Sequence, residues 1–144
     1  SYDSVAKLLA DAAIELVVVN TPNATHFELA RQALLAGKHV LVEKPVCITV
    51  AELDELLALA ARCGLHLLAY QNRRYDSDFQ LVRQVVASGQ LGELVEAHFR
   101  FERYKLPLNV KTFKEDPAVS GSGLLYDLGP HVLDQALLLF GRPQ

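Results

Sequence analysis

Three short apolar runs, at residues 14–19, 39–42 and 65–70, each stop at a polar turn or a proline, and two stretches of helical periodicity lie between them. A continuous apolar run closed by turn residues predicts a strand buried on both faces, as parallel sheets require. The first run ends at Asn20-Thr21-Pro22-Asn23 and the second at Glu43-Lys44-Pro45. Between them the spacing predicts a helix over 24–35, with Gly37 where a C′ glycine belongs. Thr49 opens a second helix, and Glu52 three residues on completes a capping box; that helix runs to about Arg62 and ends at Gly64. Strands alternating with helices in this way call for right-handed βαβ crossovers and a parallel sheet, half of a doubly wound α/β fold. A shorter helix precedes the first strand, with Val5, Leu8, Leu9 and Ala12 in register and Ser4 or Asp3 as its N-cap.

After Gln71 the pattern changes. A helix over Ser77–Ala87 is followed by Gly89. Residues 93–104 alternate and are rich in Val, Phe and Tyr, which predicts a long, half-exposed strand of antiparallel character. Residues 106–122 read as a loop and Leu124–Phe140 as a final apolar helix. We place a domain boundary near Gln71, giving units 1–71 and 72–144, with no internal repeats.

Composition narrows the partners. Hydrophobic residues at 51% and charged residues at 22% argue against disorder, and a net charge of -3 with scattered Lys and Arg gives no footprint for nucleic acid or an anionic membrane. No apolar run approaches the roughly 18 residues needed to cross a bilayer, and Ser1-Tyr2-Asp3-Ser4 lacks the plan of a signal peptide. Cys47 and Cys63 form neither a disulfide framework nor a metal pair. They read as buried free thiols, which fits a reducing cytoplasm.

Two constellations carry chemistry. In open parallel α/β sheets, ligands bind outside the carboxyl ends of the strands, which is where Thr21-Pro22 and Glu43-Lys44-Pro45 lie. Lys44, between a buried strand and a proline, has limited freedom; it reads either as a functional ammonium or as a surface lysine paired with Glu43. The second constellation is the run from Gly121 to Asp134. Asp127 and His131, four residues apart, share one helical face, and a carboxylate beside an imidazole fixes its tautomer and raises its basicity. Pro130 allows another reading, in which Asp127 caps a helix beginning near the proline. Asp134 follows one turn later, and polar groups inside an apolar helix need exposure or partners. His26 faces either a ligand or solvent. Arg73 and Arg74 read as an anion site or a solvated corner, and Gly121-x-Gly123 lacks the third glycine of a phosphate loop.

Val18-Val19-Asn20-Thr21-Pro22, Ala36-Gly37-Lys38-His39-Val40, Glu43-Lys44-Pro45 and the later Gly-x-Leu-Tyr-Asp-Leu-Gly-x-His-x-x-Asp run (residues 123–134) resemble the Gfo/Idh/MocA oxidoreductases, a family that includes glucose–fructose oxidoreductase and inositol dehydrogenase. The resemblance implies the C-terminal half of an NAD(P)-binding Rossmann domain followed by the start of an α+β, mostly antiparallel substrate domain. It implies catalytic roles for Lys44, Asp127 and His131: Lys44 holding the reacting hydroxyl, His131 taking its proton, Asp127 orienting the histidine or binding a substrate hydroxyl. Thr21, Pro22, Asn23, His26, Glu43 and Lys44 would line the nicotinamide-ribose end of an NAD or NADP site. The expected reaction is hydride transfer between that cofactor and a sugar, polyol or related hydroxy compound, in a homo-oligomer formed through the second domain's sheet.

The sequence departs from the family at its ends. The glycine-rich turn that seats a pyrophosphate at a helix N-terminus is not among these residues, and the chain starts without Met on a helix that feeds straight into a strand. We therefore expect a fragment with little or no turnover by itself. The competing expectation is a non-catalytic binding or assembly module that pairs through the alternating segment 93–104.

Overall fold

The computed structural model describes residues 1–102, 104, 114 and 116–143. Helix α1 (Val5–Ala10) is capped by the Ser4 hydroxyl, which accepts from the Lys7 amide at 3.3 Å. Strands β1 (Leu16–Val19), β2 (His39–Glu43) and β3 (Leu67–Tyr70) form one parallel sheet in the order β1-β2-β3. Val19 is opposite Val42 and Glu43 opposite Tyr70, so the three carboxyl ends are level. Helix α2 (His26–Leu35) links β1 to β2, and α3 (Val50–Cys63) links β2 to β3. The expected capping box at Thr49 and Glu52 is formed, and Gly64 takes the left-handed conformation that ends α3.

The core is built from alternate strand residues and the inward stripe of each helix. Val19, Val40 and Val42 meet Ala30, Ala33, Leu34, Leu56, Leu59 and Ala60, all buried. Each large side chain among them contributes about 1.5–3 kcal/mol by leaving water. Successive right-handed crossovers in a β1-β2-β3 order place both helices on one face. The other face stays open among the described residues: Leu16, Val18 and Leu68 are 50%, 59% and 54% exposed. The expectation of strands buried on both faces is thus met on one face only.

In the second half, α4 (Ser77–Ala87) and α5 (Leu124–Phe140) have the bounds the periodicity predicts. Pro130 lies inside α5, and Asp127 sits in the first turn of a helix already begun at Leu124, so the reading of Asp127 as cap of a helix starting near the proline is corrected. The strand expected over 93–104 is also corrected as far as it is described: residues 93–102 and 104 have no strand conformation. A strand exists through its ladder, and none of the described residues pairs with this segment. Its aromatic residues pack on neighbouring helices and turns instead, Phe99 edge-on to Phe140 and Phe101 beneath Arg73. Most of the loop expected over 106–122 lies outside the described residues; residues 117–121 within it form turns.

The cysteines differ from expectation. Cys63 ends α3 on its solvent side and is exposed, and Cys47 is half-buried. No helix among the described residues is long and apolar enough to cross a membrane.

Candidate active site

The turn after β1 begins the site. Asn20-Thr21-Pro22 leads into a single 3₁₀ turn, Asn23–Thr25, held by the Thr25 amide and hydroxyl, both donating to the Pro22 carbonyl. His26 follows as the first residue of α2 and is 1% exposed. Its ring lies between two backbone carbonyls, Nδ1 at 2.7 Å from Pro45 O and Nε2 at 2.8 Å from Thr21 O. A carbonyl only accepts, so both nitrogens face groups that want a proton. The histidine faces neither solvent nor, through its nitrogens, a ligand; it ties together the turns that follow β1 and β2.

Those turns, with the start of α5, enclose a pocket of about 290 Å³ lined by Asn20, Thr21, Pro22, Asn23, His26, Glu43, Lys44, Lys114 and Asp127. Lys44 reaches it from the end of β2. Its ammonium donates to the Asp127 backbone carbonyl and lies 3.4 Å from Asp127 Oδ1, with the side chain 14% exposed. The alternative of a surface lysine paired with Glu43 does not hold. Lys114 donates to the same Oδ1 at 3.0 Å. The sequence reading missed Lys114, because a lysine in an aperiodic loop carries no signal of where it folds back. Burial pushes the Asp127 carboxyl up, but the Lys114 hydrogen bond and the charges of Lys44 and Lys114 outweigh it and hold it below the ordinary carboxylate range.

Both lysines hold Asp127 Oδ1, and the structure gives no hydrogen bond from the carboxylate to His131. His131, one turn further along α5, is 4% exposed and is not on the pocket wall. Burial, followed by the charges of Lys44 and Arg73 and opposed by Asp127 and Asp76, lowers its pKa from 6.5 to about 4. It is neutral at pH 7, and its buried Nδ1 has no hydrogen-bond partner.

The remaining polar candidates are accounted for. Arg74 clamps Asp134 with Nε at 3.0 and 2.8 Å and Nη2 at 2.5 Å, which supplies the partner that a carboxylate inside an apolar helix needs. Arg73 pairs with Asp76 at 3.1 Å. Gly121 lies under Ile48, and a Cβ there would meet Ile48 Cδ1 at 3.0 Å and Asn23 Cβ at 3.3 Å. This close approach lets Asn23 Nδ2 donate to the Gly121 carbonyl at 2.8 Å, joining the first half of the site to the second. Among the described residues no three His, Cys, Asp or Glu side chains gather as a metal site.

Comparison with known proteins gives the class. Residues 1–71 match the model of an oxidoreductase family with an NAD-binding Rossmann fold, and residues 79–144 match the GFO/IDH/MocA C-terminal domain. The chain belongs to the Gfo/Idh/MocA oxidoreductase family, and its nucleotide-binding half is of the Rossmann type, as the resemblance implies. The uncharacterized oxidoreductase C115.03 of Schizosaccharomyces pombe is 45% identical over 142 residues, 99% of this chain and 38% of that protein. The scyllo-inositol 2-dehydrogenase (NADP(+)) IolW of Bacillus subtilis is 37% identical over 134 residues, 93% of this chain and 37% of that protein. An NAD-binding protein from Listeria innocua superposes with a TM-score of 0.88 at 36% identity, covering 96% of this chain and 40% of that one. The chain thus spans well under half the length of these relatives. The names of the last two carry the cofactor class expected from the sequence, NAD or NADP.

Proposed function

We propose that the pocket beside Lys44 and Asp127 is the reaction site of an NAD(P)-dependent dehydrogenase that oxidises a CH–OH group of a sugar, polyol or related compound. The observation that carries this is the meeting of Lys44 and Asp127, 83 residues apart in the chain, over the carboxyl ends of β1 and β2. About 290 Å³ is at the small end of ligand pockets, room for one end of a dinucleotide. The lining suits a nicotinamide-ribose: Thr21, Asn23, Glu43 and Lys44 offer polar groups, Pro22 an apolar surface, and His26 fixes the wall behind them. A nicotinamide bound there supplies the acceptor for the hydride.

The chain's own groups supply the rest. Lys44 donates to the substrate hydroxyl oxygen and steadies the negative charge that grows on it as the C–H bond breaks. Asp127 Oδ2, which makes neither lysine contact, accepts from a neighbouring substrate hydroxyl and fixes the ring's orientation. Neutral His131 takes the hydroxyl proton, leaving a carbonyl product. That transfer needs the imidazole within about 3 Å of the hydroxyl, and such contacts commonly tighten only when substrate is bound. The polyol named for IolW supports the substrate class.

The test is reduction of NAD or NADP by the whole protein with inositols and sugars, comparing wild type with Lys44→Ala. Removing one preorganised donor to developing charge costs about 10²–10³ in rate. An unimpaired Lys44→Ala enzyme refutes the assignment.

A further inference from the structure

Asp127 takes its charged neighbours from separate parts of the chain, Lys44 from the end of β2 and Lys114 from the residues before α5. The two lysines do different things. The Lys44 ammonium makes its shorter contact with the Asp127 backbone carbonyl and lies 3.4 Å from Oδ1, long for a hydrogen bond. A bond to a main-chain carbonyl leaves the rotation of the carboxylate unset. Lys114 donates to Oδ1 at 3.0 Å, which is an ordinary hydrogen-bond length, and so holds the carboxylate itself.

Lys114 is in turn anchored through its backbone. Its carbonyl accepts from the Gly123 amide at 2.8 Å, and Gly123, the N-cap of α5, accepts from the Asp127 amide at 3.1 Å. The Ser122 hydroxyl donates to the Asp116 carbonyl at 2.6 Å, and Asn23 Nδ2 ties the Gly121 carbonyl to the turn after β1. An exposed lysine–carboxylate pair gains little when two free side chains must both be ordered to make it. Here the two backbones are already fixed against the same N-cap residue, which reduces that cost. Both side chains also line the pocket beside Lys44.

We infer that Lys114 is the positioning residue for Asp127, holding Oδ1 so that Oδ2 is presented to the substrate and Lys44 is left to serve the reacting oxygen. This rests on the dehydrogenase reading of the pocket. Charge explains why a second lysine is needed. If Lys44 were the sole counter-ion, its move onto the substrate oxygen would strip a half-buried carboxylate of its partner while negative charge grows beside it. Lys114 keeps that partner in place. Burial raises the Asp127 pKa, and the Lys114 hydrogen bond leads the influences that lower it, ahead of the charge of Lys44. The other titratable groups about the carboxylate are Glu43 and His26 on the pocket wall and His131 one turn along α5; the structure gives none of them a hydrogen bond to it.

The experiment is a ¹³C NMR titration of the Asp127 carboxyl in the whole protein, with the signal assigned by its loss in Asp127→Asn. It is run beside kcat/KM for polyol oxidation in wild type, Lys114→Met and Lys114→Arg. The expected wild-type midpoint lies below the ordinary carboxylate range, moves up in Lys114→Met and returns towards wild type in Lys114→Arg. In step with it, kcat/KM falls by about tenfold or more in Lys114→Met and largely recovers in Lys114→Arg. A purely structural role would lower stability in Lys114→Met without moving the titration. An Asp127 midpoint unmoved in Lys114→Met, or an active enzyme unimpaired by that change, overturns the inference. If Lys114→Met does not fold, a wild-type midpoint at or above the ordinary carboxylate range overturns it, and one below that range with Lys114→Arg like wild type supports it. The titration needs no turnover, so a wild type without dehydrogenase activity sinks the functional reading, while the midpoints still decide whether Lys114 holds the carboxylate.

Discussion

The Arg74–Asp134 clamp makes an asymmetric prediction. The Asp134 side chain is 11% exposed and that of Arg74 is 43% exposed. Removing the carboxylate (Asp134→Ala) leaves a guanidinium that can turn to water, so the loss is that of a charge-assisted hydrogen-bonded pair near a surface, about 1–2 kcal/mol. Removing the guanidinium (Arg74→Ala) leaves a largely buried carboxylate with no partner. Breaking a fully buried pair costs about 3–5 kcal/mol, and the partial exposure of this one brings the expectation to about 2–4 kcal/mol. Once Arg74 is gone, deleting Asp134 as well should restore part of the loss, so the double variant is more stable than Arg74→Ala alone. Urea unfolding of the four proteins at pH 7 closes the cycle. A coupling energy below about 0.5 kcal/mol, or an Asp134→Ala variant no more stable than Arg74→Ala, refutes the reasoning.

Three further outcomes follow from the structure. Leu56, fully buried between α3 and the sheet, should cost about 2–5 kcal/mol as Leu56→Ala in the same unfolding assay. Gly121→Ala, at φ 75° and with its new Cβ 3.0 Å from Ile48, should lose about 1–2 kcal/mol from backbone strain alone and weaken the Asn23 contact, seen as a shifted Asn23 side-chain amide signal. His131 is depressed from 6.5 to about 4, so between those pH values the unfolded chain binds a proton that the folded chain refuses. Its contribution is present above pH 6.5 and is lost as pH falls towards 4; thermal unfolding of His131→Gln across that window should show a shallower acid loss than wild type.

Much of the fold was legible because its signals are local. The Thr49–Glu52 capping box, the glycines at 37 and 64 and the helical period of α4 and α5 each act within a few residues, and the elements stand where those cues put them. The segment 93–104 failed for the opposite reason. Alternation states what a strand's two faces would be, but a ladder needs an edge, and no property of residues 93–104 supplies one. The site was legible in the same partial way. Lys44 and Asp127 were named from their own surroundings, and their meeting is a tertiary fact. Pairing Asp127 with His131 by four-residue spacing overlooked the ammonium groups that reach Asp127 Oδ1 from elsewhere in the chain, and one of them, Lys114, comes from a loop with no pattern to read. His26 was legible as a residue of the turn, but its role as a tie between two carbonyls needed the second turn in place.

The central claim is that hydride passes between a carbinol carbon and a nicotinamide beside Lys44. Its most direct test supplies the whole protein with a polyol deuterated at the carbinol carbon and follows the label. The account predicts deuterium at C4 of the reduced nicotinamide, with the rate of transfer falling by about 10² or more in Lys44→Met. Label released to water instead, or transfer by Lys44→Met at the wild-type rate, contradicts it.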